Sequence, residues 1–153
     1  MFPVIPPSFK GDPRRYPYYA YLGGDSARVA MLKPRYFHIY RPGPLGTIIP
    51  APTAILVSRQ LAEVFAATLK DGWQRREAIL WDPASATENR ETHVELVIDT
   101  EIGPEAMPDD VSGMRLWRYG ERYLFVSPEL MDLIQGSFKD VSFSMGFWTF
   151  VAG

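Results

Sequence analysis

Two stretches of the chain carry the same order of apolar and polar positions. Residues 54–65 read AILVSRQLAEVF, and residues 123–134 read YLFVSPELMDLI. In each, an apolar run of strand character ends in Val-Ser, and apolar residues then recur at helical spacing. Leu61, Val64, Phe65 and Leu69 form one stripe; Leu130, Leu133 and Ile134 repeat it. Ser58 and Ser127 stand where an N-cap belongs, each with a hydroxyl that can accept from an orphan amide of the first turn. Pro128 at the first helical position forfeits no bond, and Glu129 suits the positive end of the helix. The pattern predicts a strand–cap–helix–strand unit used twice, over 53–81 and 122–150. Its strands are expected at Thr53–Val57, Glu77–Trp81, Leu124–Val126 and, as a long final strand, Asp140–Phe150. Asp71-Gly72 and Gly136 are the expected helix stops. An internal duplication and two separate units obeying the same capping rules would both write this phrase.

Other segments read as strands and loops. RYFHIY (35–40) is rich in aromatic and β-branched residues and predicts a strand. HVELVID (93–99) alternates, with Val94, Leu96 and Ile98 on one side and His93, Glu95, Val97 and Asp99 on the other. That alternation predicts a strand with one wet, acidic face. MRLWRYGERYLFV (114–126) predicts a hairpin with a two-residue type II′ turn at Gly120-Glu121. Ten of the 14 prolines fall in the first 52 residues. Proline removes a backbone donor and fixes φ, so residues 1–26 are expected to form neither a long helix nor a central strand. Residues 1–34 are therefore expected to form an extended, Pro/Tyr-rich arm around a body spanning 35–153. The sum is a single α+β domain: a mixed sheet of about seven strands, two short amphipathic helices and the arm.

Composition narrows the function classes. The chain has 153 residues, 46% of them apolar, 14% aromatic and 22% charged, the profile of a globular protein with a sizeable core. With no cysteine, disulfide scaffolds, thiol nucleophiles and zinc ribbons are excluded. The N-terminus lacks a continuous apolar h-region, and no window approaches the roughly 18 apolar residues of a membrane helix. A cytoplasmic protein with no membrane partner is expected.

Charge is unevenly spread. Residues 82–112 hold nine acids (Asp82, Glu88, Glu91, Glu95, Asp99, Glu101, Glu105, Asp109, Asp110) against Arg90 alone, a charge of −8 within a chain of net −2. The first 41 residues carry seven bases and two acids. A solvated face is the simplest reading of the acidic segment, but such a field would also steer a cationic partner and repel phosphate. No nucleic-acid partner is expected, although PRRYPYYAY (13–21) mixes the arginines and tyrosines that phosphate contact and base stacking use. Protein interfaces favour the same mixture. Simplest of all, the tyrosines would pin the arm to the core.

Candidate chemistry is sparse. Gly-Asp-Ser at 24–26 opens a pattern seen in an esterase family, but no histidine follows His93 to serve as the base near the C-terminus. There is no Gly-x-Ser-x-Gly elbow and no phosphate-binding glycine loop. His38 reads as a packed core or edge residue. His93, Glu95 and Asp99 share a strand face and could chelate a cation by position, yet an acidic strand face is the plainer reading. No metal, cofactor or catalytic group is expected.

The stretch MRLWRYGERYLFVSPELMDLIQGSFKDVSF (114–143) resembles the closing signature of a family of small bacterial immunity proteins from polymorphic-toxin loci, immunity protein family 11. The matches are Leu116-Trp117-Arg118, Leu124-Phe125-Val126-Ser127, Leu130 with Leu133, and Val141 with Phe143, with Asp99 as the counterpart of a preceding Asp. ILVSRQLAEVF is similar to the family's earlier strand–helix, so the resemblance covers about residues 53–145. The paired Cys-x-x-Cys motifs of some related proteins cannot form here. The resemblance implies a non-enzymatic protein that binds a cognate toxin domain and covers its active site or substrate path, and the acidic segment adds the expectation that this domain is basic. Glu91, Glu95, Asp99, Glu101, Glu105, Asp109 and Asp110 are the expected contacts, with Trp117 as an apolar anchor. The alternative is an adaptor or assembly module docking through its arm, with Arg14, Arg15, Tyr16, Tyr18, Tyr19 and Tyr21 as contacts.

Overall fold

The computed structural model describes residues 16–21, 28–41, 43–121 and 123–146. Among them the fold is α+β, with two helices and twelve short strands in three four-stranded sheets. The single sheet of about seven strands expected from the sequence is thus replaced by three. Glu77–Trp81 illustrates why: Trp73–Glu77 (β6) and Ile79–Asp82 (β7) are separate strands that join different sheets, broken at the fully buried Ala78.

Each copy of the repeated phrase folds as the capping signals dictate. Ile48–Ala51 (β4) and Ala54–Ser58 (β5) form a hairpin, α1 runs over Arg59–Thr68, and β6 follows. Leu116–Tyr119 (β10) and Tyr123–Val126 (β11) form a second hairpin, α2 runs over Pro128–Ser137, and Ser142–Met145 (β12) follows. Tyr119 pairs with Tyr123, so this turn spans three residues rather than two, with Gly120 in the left-handed region at φ +61°. The serine hydroxyls accept from the amides of Leu61 and Leu130, as N-caps do.

The glycine stops are not used. Both helices end where an apolar residue turns extended and enters the core: Leu69 after α1 and Phe138 after α2, whose amides still reach Phe65 O and Ile134 O. Gly136 lies inside α2, and Gly72, at φ +86°, turns the chain toward β6. The final strand has four residues; positions 147–150 of the expected Asp140–Phe150 strand lie outside the described residues.

In both units the helix connects two strands that are not neighbours. The first sheet is ordered β4-β5-β9-β6, where β9 is His93–Ile98 and lies antiparallel to both flanking strands. The second is ordered β10-β11-β1-β12, where β1 is Tyr18–Tyr21 and again lies antiparallel to both. The proline-rich N-terminal region therefore does contribute a central strand, against expectation. YYAY begins just after Pro17 and contains no proline, so every donor the two ladders need is present.

The inner faces of these sheets share one core. Ile55, Val57, Val94, Leu96 and Ile98 from the first meet Ala20, Leu116, Leu124 and Val126 from the second, and Leu61, Phe65, Leu130 and Ile134 of the helices fill the space between. The outer face of the first sheet, through Leu56, Ile49 and Ala54, is covered by the third sheet, β2-β3-β7-β8. There β2 is Val29–Lys33, β3 is Tyr36–Ile39 and β8 is Thr87–Asn89, and β3 pairs with β7 in parallel. The outer face of the second sheet, through Trp117, Phe125 and Tyr19, is covered by Ile102 and Val111 of the connection that follows β9.

The two caps carry unequal loads. Ser58 accepts one amide and is half-buried. Ser127 is fully buried, donates to Gly113 O at 2.6 Å, and accepts from Arg115 N and Leu130 N. Ser58→Ala is predicted to cost about 1 kcal/mol. Ser127→Ala, which takes the partner from the buried Leu130 amide and from the part-buried Arg115 amide and Gly113 carbonyl, should cost about 3 kcal/mol. Urea unfolding of the two variants checks the difference; equal losses would contradict it.

Candidate functional site

The acids expected to bind a partner are separated by the fold. Glu91 precedes β9 and Asp99 follows it, roughly 26 Å apart along extended chain. Glu95 lies between them within β9, opposite Leu56 on β5 and Arg76 on β6, and is only 9% exposed. The wet acidic face expected for this strand does not exist, because the third sheet layers over the outer side of the first and β9 is flanked on both edges. Burial pushes the Glu95 carboxyl above its ordinary range, and the Arg76 charge works against that rise.

Five of the acids share one connecting segment. Asp99, Glu101, Glu105, Asp109 and Asp110 lie on residues 99–113, a strap with no basic residue. Its inner side is apolar: Ile102, Met107 and Val111 pack on Trp117, Phe125 and Tyr19. Its start runs beside β10, with Ile102 N donating to Arg118 O and Arg118 N to Thr100 O. The Arg118 guanidinium then staples three elements, donating to Ile98 O, Gly120 O and Glu101 Oε2 at 2.7 Å. A turn closes by the Ala106 amide on Gly103 O. At the far end Asp110 accepts the amide and hydroxyl of Ser112 and faces Arg115 at 3.2 Å. The Ser112 bonds, aided by Arg115, hold its carboxyl below the usual range. Glu101 and Asp110 therefore answer arginines of the protein itself. Asp99, Glu105 and Asp109 are exposed and form no salt bridge among the described residues.

The aromatic candidates point inward. Trp117 is 6% exposed and belongs to the cluster beneath the strap. Tyr16 and Tyr19 are buried, and Tyr19 meets Phe125 and Tyr123 at centroid distances of 5.4 and 5.6 Å. Tyr18 is half-buried against the central core. These rings pin β1 into its sheet. Arg14, Arg15, the side chain of Tyr21 and Ser26 lie outside the described residues.

A cleft of about 870 Å³ opens at the end of the first sheet where β5, β9 and the β4 entrance meet. Ser58, Arg59, Glu91, His93, Phe138 and Asp140 border it. Four of these side chains, Ser58, Arg59, His93 and Asp140, already serve hydrogen bonds of the fold. Gly46 O can only accept, so the His93 Nε2 at 2.8 Å carries the hydrogen, and Nδ1 accepts from the Thr92 hydroxyl. Burial lowers the His93 pKa, against the opposing pull of the Gly46 bond, and favours this neutral ring. Asp140 accepts the amide and the hydroxyl of Thr47, each at 2.7 Å. Burial would raise its pKa, but the two Thr47 bonds and its own amide together outweigh that and hold it low. These bonds tie the segment after α2 to the start of β4, a link no sequence pattern marked. No group of three metal-ligating side chains occurs among the described residues, and no described helix is long and apolar enough to cross a membrane.

The cleft makes a pH prediction. Because folding lowers the His93 pKa from its ordinary 6.5, the unfolded chain binds a proton that the folded chain resists as pH falls below about 6.5. Stability from this group is thus intact above that pH and lost below it. Glu95 acts oppositely: its raised pKa favours the folded state at low pH, and this contribution is lost as pH rises above about 4.5. Subtracting the unfolding free energies of His93→Gln, which keeps a donor for Gly46 O, isolates the histidine. The wild-type advantage should shrink between about pH 7.5 and 5.5; a constant difference would contradict the assignment.

No family model, curated protein or solved structure matches this chain.

Proposed function

We propose that the protein is a non-enzymatic immunity protein that binds a basic toxin domain through the 99–113 strap and covers its active site or substrate path. The observation that carries the reading is the strap itself. Asp99, Glu105 and Asp109 are exposed, while Ile102, Met107 and Val111 fix the backbone that bears them. Acids held this way lose little conformational freedom when a partner docks, and their field raises the encounter rate with a cationic surface. The resemblance of residues 53–145 to immunity protein family 11 supports the same class of partner. A cytoplasmic location belongs to this reading, since the toxin must be met inside the cell that makes it.

Glu95 does not belong in the test, because reversing a charge buried within β9 would damage the sheet. The strap acids suit it. The protein, purified at low salt from its native cells, should bring down one stoichiometric partner, the C-terminal part of a larger secreted protein. Asp99→Lys, Glu105→Lys and Asp109→Lys together should slow association with that partner about 10- to 100-fold while leaving thermal unfolding unchanged. Wild-type association should also slow as salt rises. An unchanged on-rate in the triple variant would contradict the strap as the contact surface.

A further inference from the structure

The outer face of the third sheet carries a row of flat side chains, half-buried at Tyr36, His38 and Trp81 and exposed at Tyr40, beside the buried Ile79. Along β2, β3 and β7 the side chains alternate, and Val29, Phe37 and Leu80 enter the interior. Their neighbours Tyr36, His38 and Trp81 take the opposite side, and Tyr40 continues the row just past β3. His38 is in register with Trp81 across the parallel pair, and its ring lies 4.4 Å from that of Tyr40. Tyr40 is 55% exposed. Beside these rings runs a hairpin, residues 28–41, with four basic residues and no acid. Two of the four, Lys33 and Arg35, sit at its tip and are exposed, with no salt bridge among the described residues. The Lys33 ammonium lies 4.5 Å above the Tyr36 ring.

We infer that this face binds single-stranded nucleic acid, with bases stacking on Tyr40 and Trp81 and phosphates meeting Lys33 and Arg35. The His38 and Tyr40 rings lie against one another at 4.4 Å, so the pair presents the exposed outer face of Tyr40 to a base. Cations alongside the rings add attraction for phosphate and for the base faces. The charge of the 82–112 segment, which disfavours nucleic acid when the chain is read linearly, is divided by the fold. Its strap covers the second sheet, and the third sheet covers the first, so the two surfaces lie on opposite sides of the shared core. Glu88 lies opposite Trp81 on this face, where Arg90 pairs with it at 3.4 Å, and Asp82 accepts from the Ala84 amide. A face-to-face second copy is disfavoured because it would oppose two basic hairpins. This surface is independent of the strap and of the partner proposed for it.

The test is fluorescence anisotropy of a labelled oligouridine of about 12 nucleotides, within the reach of one small sheet platform. Saturable binding at low ionic strength is expected, weakening with salt at a log–log slope near −1.4, about −0.7 for each of two phosphates. Tyr40→Ala, an exposed substitution that leaves the core intact, should weaken binding about tenfold. Lys33→Glu with Arg35→Glu should abolish it. Three results would overturn the inference: no saturable binding, binding indifferent to Tyr40→Ala, or displacement of the oligouridine by oligoglutamate at equal concentration. The last would assign the face to an acidic protein segment instead.

Discussion

A helix that joins two strands one position apart in a sheet leaves a vacancy between them, and a strand from elsewhere must fill it. This constraint applies twice here. β5 and β6 are joined by α1 and separated by β9; β11 and β12 are joined by α2 and separated by β1. The ladders agree in detail. Val57 faces Val94, which faces Glu77, just as Val126 faces Tyr18, which faces Met145. The amide of each capping serine donates to the strand entering its hairpin, Ser58 to Thr47 O and Ser127 to Arg115 O. Both helices have ten residues and end on an apolar residue drawn into the same core. The units differ in where the filling strand comes from: after the unit in the first case, from the start of the chain in the second.

Sharing one core uses up the inner face of each sheet, which leaves two outer faces needing cover. The third sheet covers one and the 99–113 strap the other. Each cover needs apolar residues on only one side, so its far side is free to carry other chemistry. The strap displays carboxylates there, and the third sheet displays rings and the cations of its first hairpin, with Glu88 answered by Arg90. Surface character in this protein follows from the layering, with opposite charges carried on opposite covers.

The repeated phrase made the helices, their caps and two of the sheet strands legible, because capping and apolar period are local physics. What failed was whatever depended on a distant partner. Proline density hid β1, since the donor-free residues stop at Pro17 and the next four residues are ordinary strand formers. The alternation in 93–99 revealed two sides of a strand but carried no information about what lies over the second side. Hence His93 and Glu95 read as solvated and are buried. Trp117 looked like an anchor for a partner and is an anchor for the strap. The strap acids were identified by charge alone, but their separation into those answered by Arg115 and Arg118 and those left to solvent required the fold. The aromatic run of residues 35–40 predicts a strand, but which of its rings face outward depends on the layer beneath it.

Amide hydrogen exchange across Tyr18–Tyr21, compared with His93–Ile98, tests the central claim that both filling strands complete equivalent sheets. The account predicts protection in β1 comparable to that of β9, lost in the same cooperative opening. Fast exchange at Tyr18–Tyr21 beside a protected β9 would show an arm resting on the body, and the two-unit architecture would be wrong.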